Sequence, residues 1–397
     1  MGYEVLDFLE EEIKQLKEQN LYRELFVLET AQMPTSIING KKVVNLSSNN
    51  YLGFTFNEKI KKRAMELTEK YGAGTAAVRT IIGTMNIHQE LEARIARFKN
   101  TESALVLQSG FATNVAVVQS FLTSEEDFLI SDELNHASII DGGRLCKARR
   151  RIYKHKDMKD LENYLLEARN TNSRRIMVVT DGVFSMDGDI APLPDIVNLC
   201  EKYRAILMVD DAHSSGVLGK NGRGTVNHFG LEGRVHIQIG TLSKAIGAMG
   251  GYVASTRKVR EYLIHKARPF LFSSSHPPAV IGACIAAFEI LENEPEIIEK
   301  LWENTRFFKK SLQQSGFNTG ESETPITPII VGSSELAMRM SDLLFEEGVF
   351  VQGIVYPTVP RGKERLRTIV TAVHTKEELD FALDKLNKIG RKLGILK

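Results

Sequence analysis

Short apolar runs alternate with helical segments between residues 100 and 240. Helix-like stretches, including 158–169 and 193–203, separate several of these runs. Short buried strands that alternate with helices are typical of a mostly parallel sheet covered on both faces. We therefore predict an α/β fold whose ligand-binding residues lie at the carboxyl ends of the strands. The predicted strands span residues 104–107, 127–131, 175–180, 205–210 and 235–239.

The sequence divides into three regions. Val5, Leu9, Ile13 and Leu16 recur at helical spacing, which predicts an amphipathic helix within an N-terminal helix and β segment, 1–46. A large α/β domain follows over 47–291. After a long predicted helix the pattern changes to a smaller α+β C-terminal domain, 292–397, with predicted strands at 326–331, 350–354 and 366–371.

Composition excludes several classes of partner. The 51 basic and 50 acidic side chains nearly cancel, so no net field attracts nucleic acid or an anionic membrane. Cys146, Cys200 and Cys284 are widely spaced, without a C-x-x-C pair, and the nine histidines show no metal-binding spacing. No apolar stretch reaches the roughly 20 residues that span a bilayer. We predict a cytoplasmic protein without a bound metal.

A single lysine ends the last of these apolar runs. Lys244 closes the segment 240–244 (Gly-Thr-Leu-Ser-Lys), among small and hydroxyl residues. A buried lysine has a lowered pKa, and its neutral amine can form a Schiff base with an aldehyde. Taken alone, the segment more often indicates an ordinary surface lysine after a strand.

Two acidic residues and a histidine follow the strand 205–210. Asp210 could hold a pyridinium nitrogen in its protonated form, and His213 could bond a ring hydroxyl. The alternative is a helix cap and a surface charge. His136 follows another strand in a polar loop and could stack on a planar cofactor, or could be a solvated loop histidine. Gly110 begins a helix directly after a strand, a junction that suits a phosphate group.

Four ordered strings resemble the pyridoxal-phosphate (PLP)-dependent α-oxoamine synthases, of aminotransferase-like fold type I, over nearly the whole chain. This resemblance implies a PLP-dependent transferase that joins an amino acid to an acyl-CoA in a homodimer with shared active sites. The strings are 47–53 (Ser-Ser-Asn-Asn-Tyr-Leu-Gly), 181–188 (Asp-Gly-Val-Phe-Ser-Met-Asp-Gly), 209–213 (Val-Asp-Asp-Ala-His) and 241–244 (Thr-Leu-Ser-Lys).

The resemblance also implies roles for single residues. Lys244 carries the internal aldimine, Asp210 pairs with the pyridine nitrogen, and His136 stacks on the ring. His213 and Ser185 contact the ring oxygen. The phosphate is held by Gly110, Phe111 and Thr241, together with Ser274 and Ser275, which the partner subunit donates. The substrate-binding positions are Arg367 for the amino-acid carboxylate and Arg23, Asn49, Val78 and Thr358 around the pocket.

Within the family, the chain most resembles the glycine C-acetyltransferase branch, which condenses glycine with acetyl-CoA. The strings 268–273, 301–304 and 372–375 carry this resemblance, as does Val78, whose bulk could crowd the methyl group of alanine. The main alternative is the biotin-pathway branch, which condenses L-alanine with a pimeloyl thioester and releases CO2. An enzyme of dual specificity and a catalytically silent PLP-binding protein are further alternatives.

Overall fold

A computed structural model describes residues 4–18, 21–22 and 24–397 of the chain. The predicted amphipathic helix is present as α1, and its side chains are exposed. A hairpin follows whose turn uses Asn39 and Gly40, both with positive φ. The first elements are α1 (Phe8–Glu18), β1 (Thr35–Ile38), β2 (Lys41–Asn45), α2 (Glu58–Tyr71), α3 (Asn86–Phe98), β3 (Ser103–Leu107) and α4 (Gly110–Phe121).

The middle of the chain alternates between strands and helices, as the apolar pattern predicts. Its elements are β4 (Phe128–Asp132), α5 (Ala137–Leu145), β5 (Arg149–Tyr153), α6 (Met158–Asn170), β6 (Ile176–Asp181), α7 (Leu193–Lys202), β7 (Ile206–Asp210), α8 (Thr225–His228), β8 (Ile237–Thr241), β9 (Gly251–Ser255), α9 (Arg257–Lys266), α10 (Arg268–Leu271) and α11 (Pro278–Asn293).

Longer helices and short strands complete the chain. Thr375 caps the final helix, and Glu378 reaches back to the Thr375 amide, which together form a capping box. The elements are α12 (Glu296–Gln314), β10 (Ile326–Ile330), α13 (Ser334–Glu346), β11 (Val349–Phe350), β12 (Gln352–Ile354), β13 (Arg365–Ile369) and α14 (Lys376–Lys392).

Seven strands form the central sheet, in the order β3-β9-β8-β7-β6-β4-β5. The pairs from β8 through β7, β6 and β4 to β5 are parallel, whereas β9 runs antiparallel to β8 and to β3. The mostly parallel α/β fold is thus confirmed, and all five predicted strands are present within two residues of their predicted bounds. The carboxyl ends of six strands therefore lie along one edge of the sheet.

Both faces of this sheet are covered. Residues such as Val178 and Leu207 pack into one apolar cluster with α6 and α7, and Met177 and Met208 point into a second cluster with α4. Every residue of β6 is buried. Alternate residues of a strand face opposite sides, so a strand buried on both faces reads as a continuous apolar run.

Two further three-stranded sheets involve the C-terminal region. The C-terminal sheet has the order β10-β13-β12, and the other joins β1 and β2 to β11. The prediction of a single strand over 350–354 is wrong in one respect. The chain changes sheets at Val351, so β11 pairs with β2 and β12 pairs with β13. Among the residues that the structure describes, no helix is long and apolar enough to cross a membrane.

Candidate active site

One cavity of about 260 Å³ opens at the carboxyl edge of the central sheet. The ends of β3, β4, β6, β7 and β8 all contribute to its wall, as the rule for parallel sheets predicts. Its lining combines one lysine, two histidines, two aspartates, several hydroxyl groups and one phenylalanine. The lining residues are Ser109, Gly110, Phe111, Asn114, His136, Ser138, Asp181, Val183, Ser185, Asp210, Ala212, His213, Thr241, Ser243 and Lys244.

Lys244 lies in this wall, just beyond the end of β8. Desolvation lowers the pKa of its ammonium group to about 8, and the positive charge of Arg367 acts in the same direction. The carboxylates of Asp210 and Asp181 oppose this shift. A substantial fraction of the amine is therefore neutral near pH 8, which is the form that attacks a carbonyl carbon or accepts a proton.

Asp210 is the last residue of β7 and is buried. Its two carboxylate oxygens accept hydrogen bonds from different donors: the Asn114 amide at 2.6 Å and the Ala212 backbone N–H at 2.9 Å. These bonds fix the orientation of the carboxylate in the cavity wall. Asn114 is a functional candidate that sequence reasoning missed, because its contact with Asp210 joins residues 96 positions apart.

His213 faces the same cavity and is held by an aromatic neighbour. The Tyr51 hydroxyl lies 2.8 Å from its Nδ1 atom. Burial holds the pKa of His213 well below its usual range, and the charges of Lys244 and Arg367 lower it further. The imidazole is therefore neutral at physiological pH and can donate from one nitrogen while it accepts at the other.

His136 lies at the N-terminus of α5 and caps that helix through its own side chain. Its Nδ1 atom accepts the Ser138 backbone N–H at 3.2 Å and lies 2.7 Å from the Ser138 hydroxyl. An amide can only donate, so Nδ1 carries no proton and the neutral ring holds its proton on Nε2. Partial desolvation and the Lys244 charge lower the pKa of His136 and favour this neutral form.

The N-terminus of α4 forms a concave surface of backbone donors. The Ser109 hydroxyl accepts the Ala112 amide, and the amides of Gly110 and Phe111 belong to the same first turn, where N–H groups have no partner within the helix. A Cβ atom on Gly110 would lie 3.2 Å from Cβ of Thr241. Glycine therefore lets α4 approach the end of β8, and unpaired amides at such a helix N-terminus suit a phosphate group.

Arg367 projects from β13 toward the region between the cavity and the loop that precedes α2. Its Nε atom donates to the Ser185 carbonyl oxygen at 2.6 Å, and Nη2 donates to Asn49 Oδ1 at 3.2 Å. Arg367 thus directly contacts two residues, Ser185 and Asn49, that the sequence predicts in the same site. Carboxylate recognition by Arg367 would use the guanidinium edge that carries the Nη atoms.

Several predicted residues lie outside the cavity wall. Val78 forms an isolated β-bridge with Ser274, which is exposed. The buried Ser275 hydroxyl bonds the Gly83 carbonyl oxygen at 2.6 Å, so that hydroxyl has a partner within its own chain. Thr358 is exposed on the loop between β12 and β13. Arg23 lies outside the described residues.

The donors of this cavity fit PLP. A reactive amine, a buried carboxylate and a turn of backbone amides match the aldehyde, the ring nitrogen and the phosphate of that molecule, respectively.

Asp181, which the sequence analysis did not single out, adds a second buried carboxylate, and it accepts the His136 backbone N–H at 3.0 Å. Burial and the Asp210 charge raise the pKa of Asp181 well above its usual value. No cluster of metal-binding side chains occurs in the described parts of the chain.

Comparison with known proteins agrees with this fold. The family model for aminotransferase class I and II matches residues 41–386. The 8-amino-7-oxononanoate synthase of Symbiobacterium thermophilum is 62% identical over 98% of this chain and 99% of its own, and 8-amino-7-oxononanoate synthase 1 of Bacillus subtilis is 57% identical over the same shares. Serine palmitoyltransferase from S. paucimobilis, solved with a bound PLP–myriocin aldimine, has a TM-score of 0.92 at 32% identity, with 99% of both chains covered.

The chain belongs to the class I and II aminotransferase family of fold type I PLP enzymes, as an acyltransferase of the α-oxoamine synthase group. The predicted family, enzyme class and cofactor are therefore confirmed. The branch prediction is not supported. The relatives described above are named 8-amino-7-oxononanoate synthases, which corresponds to the biotin-pathway alternative and not to glycine C-acetyltransferase.

Proposed function

We propose that this enzyme is an 8-amino-7-oxononanoate synthase. It joins L-alanine to a pimeloyl thioester, and it releases CO2 and the free thiol of the carrier. The observation that carries the proposal is the 62% identity to a synthase of this name over 98% of the chain. Val78 lies in a bridge with Ser274 and does not line the cavity, so the structure gives no support to the argument that it crowds the methyl group of alanine.

Arg367 supplies the binding site for the amino-acid carboxylate in this proposal. Its contacts with Ser185 and Asn49 fix the guanidinium between β13 and the cavity. A planar guanidinium can bind both oxygens of a carboxylate at once, so it orients the substrate as well as neutralising its charge.

Lys244 removes the Cα proton. Its lowered pKa leaves a neutral amine available at the pH of the reaction. PLP, when bound, delocalises the negative charge that develops at Cα, and Asp210 keeps its ring nitrogen protonated. The Asn114 and Ala212 hydrogen bonds hold the Asp210 carboxylate in place during this step.

His136 assists the acyl transfer. Cα attacks the thioester carbonyl carbon and a C–C bond forms. The C–S bond breaks, and the sulfur leaves as a thiolate that takes a proton from solvent. Because Nδ1 of His136 accepts the Ser138 amide, the proton on Nε2 can be donated to the thioester oxygen or to the substrate carboxylate. Loss of CO2 then leaves negative charge on the same carbon, and a proton returned from Lys244 neutralises it.

The test is thiol release by the purified holoenzyme with two substrate pairs, L-alanine with pimeloyl-CoA and glycine with acetyl-CoA. We expect release mainly with the first pair, together with CO2 and a product of the mass of 8-amino-7-oxononanoate. Release mainly with the second pair would overturn the proposal in favour of the glycine branch. A PLP-loaded protein that is active with neither pair would support a silent cofactor-binding protein.

We further propose a cytoplasmic homodimer with shared active sites. Three large apolar side chains are exposed: Phe111 in the cavity wall, Met249 beyond Lys244, and Phe272 beside Ser274, which the resemblance assigns to the partner's site. Burial of such side chains by a second copy would stabilise the complex. Light scattering during gel filtration should give twice the mass of one 44.5 kDa chain, and a monomer that retains full activity would exclude shared sites.

A further inference from the structure

Arg365 is a buried arginine of the C-terminal sheet that contacts a loop of the central sheet. Its side chain is 3% exposed. Nη1 donates to Asp187 Oδ1 at 2.6 Å and to the Met186 carbonyl oxygen at 3.0 Å, while Nε donates to the Lys363 carbonyl oxygen at 2.7 Å. One guanidinium thus binds two successive residues of the loop that follows β6.

Arg367 lies two residues further along the same strand. Residues i and i+2 of a strand point to the same face, so both arginines approach the loop together. Arg367 binds the Ser185 carbonyl oxygen, and Arg365 binds the next two residues. The segment Ser185–Asp187 is therefore held against β13 by three successive contacts.

The far end of this segment is also fixed. The Gly188 carbonyl oxygen accepts the Thr324 hydroxyl at 2.9 Å and the Glu323 amide at 3.0 Å. Gly188 has a φ of +75°, which side-chain-bearing residues rarely adopt. The segment cannot relax freely, so a change at Arg365 is transmitted to the Ser185 carbonyl group and from there to Arg367.

We propose that Arg365 is a positioning residue for the amino-acid substrate. It fixes the Ser185–Asp187 segment so that the Ser185 carbonyl group holds the Arg367 guanidinium in the orientation that binds the substrate carboxylate. This inference rests on the proposed function, in which Arg367 binds that carboxylate. Arg365 itself contacts neither the cavity nor the substrate.

The test compares R365Q, R365K and D187N with R94Q as the matched control. Arg94 is a partly buried arginine that pairs with Glu289 and Glu90, away from the cavity wall. We measure thermal stability and the L-alanine concentration that half-saturates the change in the visible absorbance of the bound cofactor. Steady-state kcat and KM for both substrates are measured in parallel.

We expect R365Q to raise the half-saturating L-alanine concentration about tenfold, as loss of a charge-assisted hydrogen bond would. KM for the pimeloyl thioester and kcat should change less than threefold. D187N should show a smaller effect, because the bond to the Met186 carbonyl group remains. R365K should fall between wild type and R365Q, since an ammonium group cannot bind both partners with the geometry of a guanidinium.

A wild-type half-saturating concentration in R365Q, or the same change in R94Q, would overturn the inference. If R365Q does not fold, R365K and D187N provide the comparison, and wild-type binding in both has the same meaning. If the wild-type enzyme responds to glycine but not to L-alanine, the proposed function fails. The Arg365 inference is then decided by the glycine titration of the same variants.

Discussion

The side-chain amide of Asn114 donates a 2.6 Å hydrogen bond to the carboxylate of Asp210. The same amide group donates to the Ser138 hydroxyl at 2.9 Å, and Ser138 in turn contacts His136. A helix on one face of the sheet thereby connects two residues with different predicted roles toward the cofactor. The arrangement makes Asn114 a determinant of the site that no local motif indicates.

Replacement of Asn114 by leucine should lower kcat/KM with L-alanine about 10- to 100-fold, since a hydrogen bond to a charged group contributes about 1.5–3 kcal/mol. Asp210 would lose its strongest orienting contact, so the visible absorbance of the bound cofactor should shift as well. The control is Asn198→Leu, an exposed position of α7, which should leave both properties unchanged. Wild-type activity and spectrum in the Asn114 variant would exclude an orienting role.

Lys244 should react with PLP in a pH-dependent manner. Its pKa is lowered from 10.5 to about 8, and only the neutral amine attacks the aldehyde. The rate at which apoenzyme attaches PLP should therefore rise with pH and level off above about 8. Stopped-flow absorbance measures this rate. A rate that still increases tenfold per pH unit at pH 9 would contradict the lowered pKa. As a control, Lys244→Ala has no amine at this position, so borohydride should trap no cofactor on it.

A histidine between two carboxylates should stabilise the fold in a pH-dependent way. His155 lies 2.9 Å from both Asp132 and Asp189, and its side chain is 20% exposed. Burial opposes its charge, but the hydrogen bonds to these carboxylates outweigh that effect and raise the pKa to about 9. Relative to the usual 6.5, this shift corresponds to about 3 kcal/mol of stability.

Because the folded-state pKa of His155 is raised, its contribution is complete below pH 6.5 and is lost as the pH rises through about 9. His155→Gln should therefore be destabilised at pH 6, and the difference from wild type should shrink by about 3 kcal/mol between pH 6 and pH 10. Urea unfolding at the two pH values measures this change. The exposed His265→Gln is the control, and a difference that does not vary with pH would refute the paired imidazolium.

The fully buried ion pair behind Asp210 provides a stability test. Lys99 Nζ lies 2.6 Å from Asp211 Oδ2, and both side chains are 0% exposed. Asp211→Asn should destabilise the fold by about 3–5 kcal/mol, because it leaves a buried ammonium unpaired. The double variant Lys99→Met/Asp211→Leu should be less destabilised than Asp211→Asn. Equal losses in the two would show that the buried charge is not the cause.

The exposed pair of Lys300 and Glu303 is the control for this experiment. Exposed ion pairs contribute about 0–1 kcal/mol, so Glu303→Gln should leave the unfolding midpoint nearly unchanged. A loss as large as that of Asp211→Asn would mean that general charge effects, and not burial, dominate. Chemical denaturation at one pH and salt concentration measures all three variants.

The sequence predicts the catalytic edge well because its signals are local. Asp210 ends the apolar strand β7, and Lys244 lies just beyond the end of β8. Parallel strands bring such ends together without any need to know which helix packs where. The contacts of Asn114 with Asp210 and of Tyr51 with His213 depend on the packing of segments about 96 and 162 residues apart. The apolar periodicity of one segment does not indicate which distant segment packs against it.

Two strands of the central sheet were missed for different reasons. β5 begins with Arg149, Arg150 and Arg151 at the edge of the sheet, where only alternate residues are partly covered and an apolar run is not needed. β9 follows Gly250, and it begins with Gly251 and ends with Ser255, so its apolar run is only three residues long, 252–254. Its antiparallel direction depends on the connection over 242–250, which contains no helix or strand.

Because β2 pairs with β11, the order in which the chain is synthesised affects when this sheet can form. Val44 lies beside Val349, so the strand made near the start of translation pairs with one made about 300 residues later. β1 and β2 leave the ribosome as a hairpin, and a two-stranded hairpin alone is only marginally stable in water. This sheet is therefore completed only after nearly the whole protein has been synthesised, and a nascent chain that stops before Val349 exposes an unpaired edge of β2.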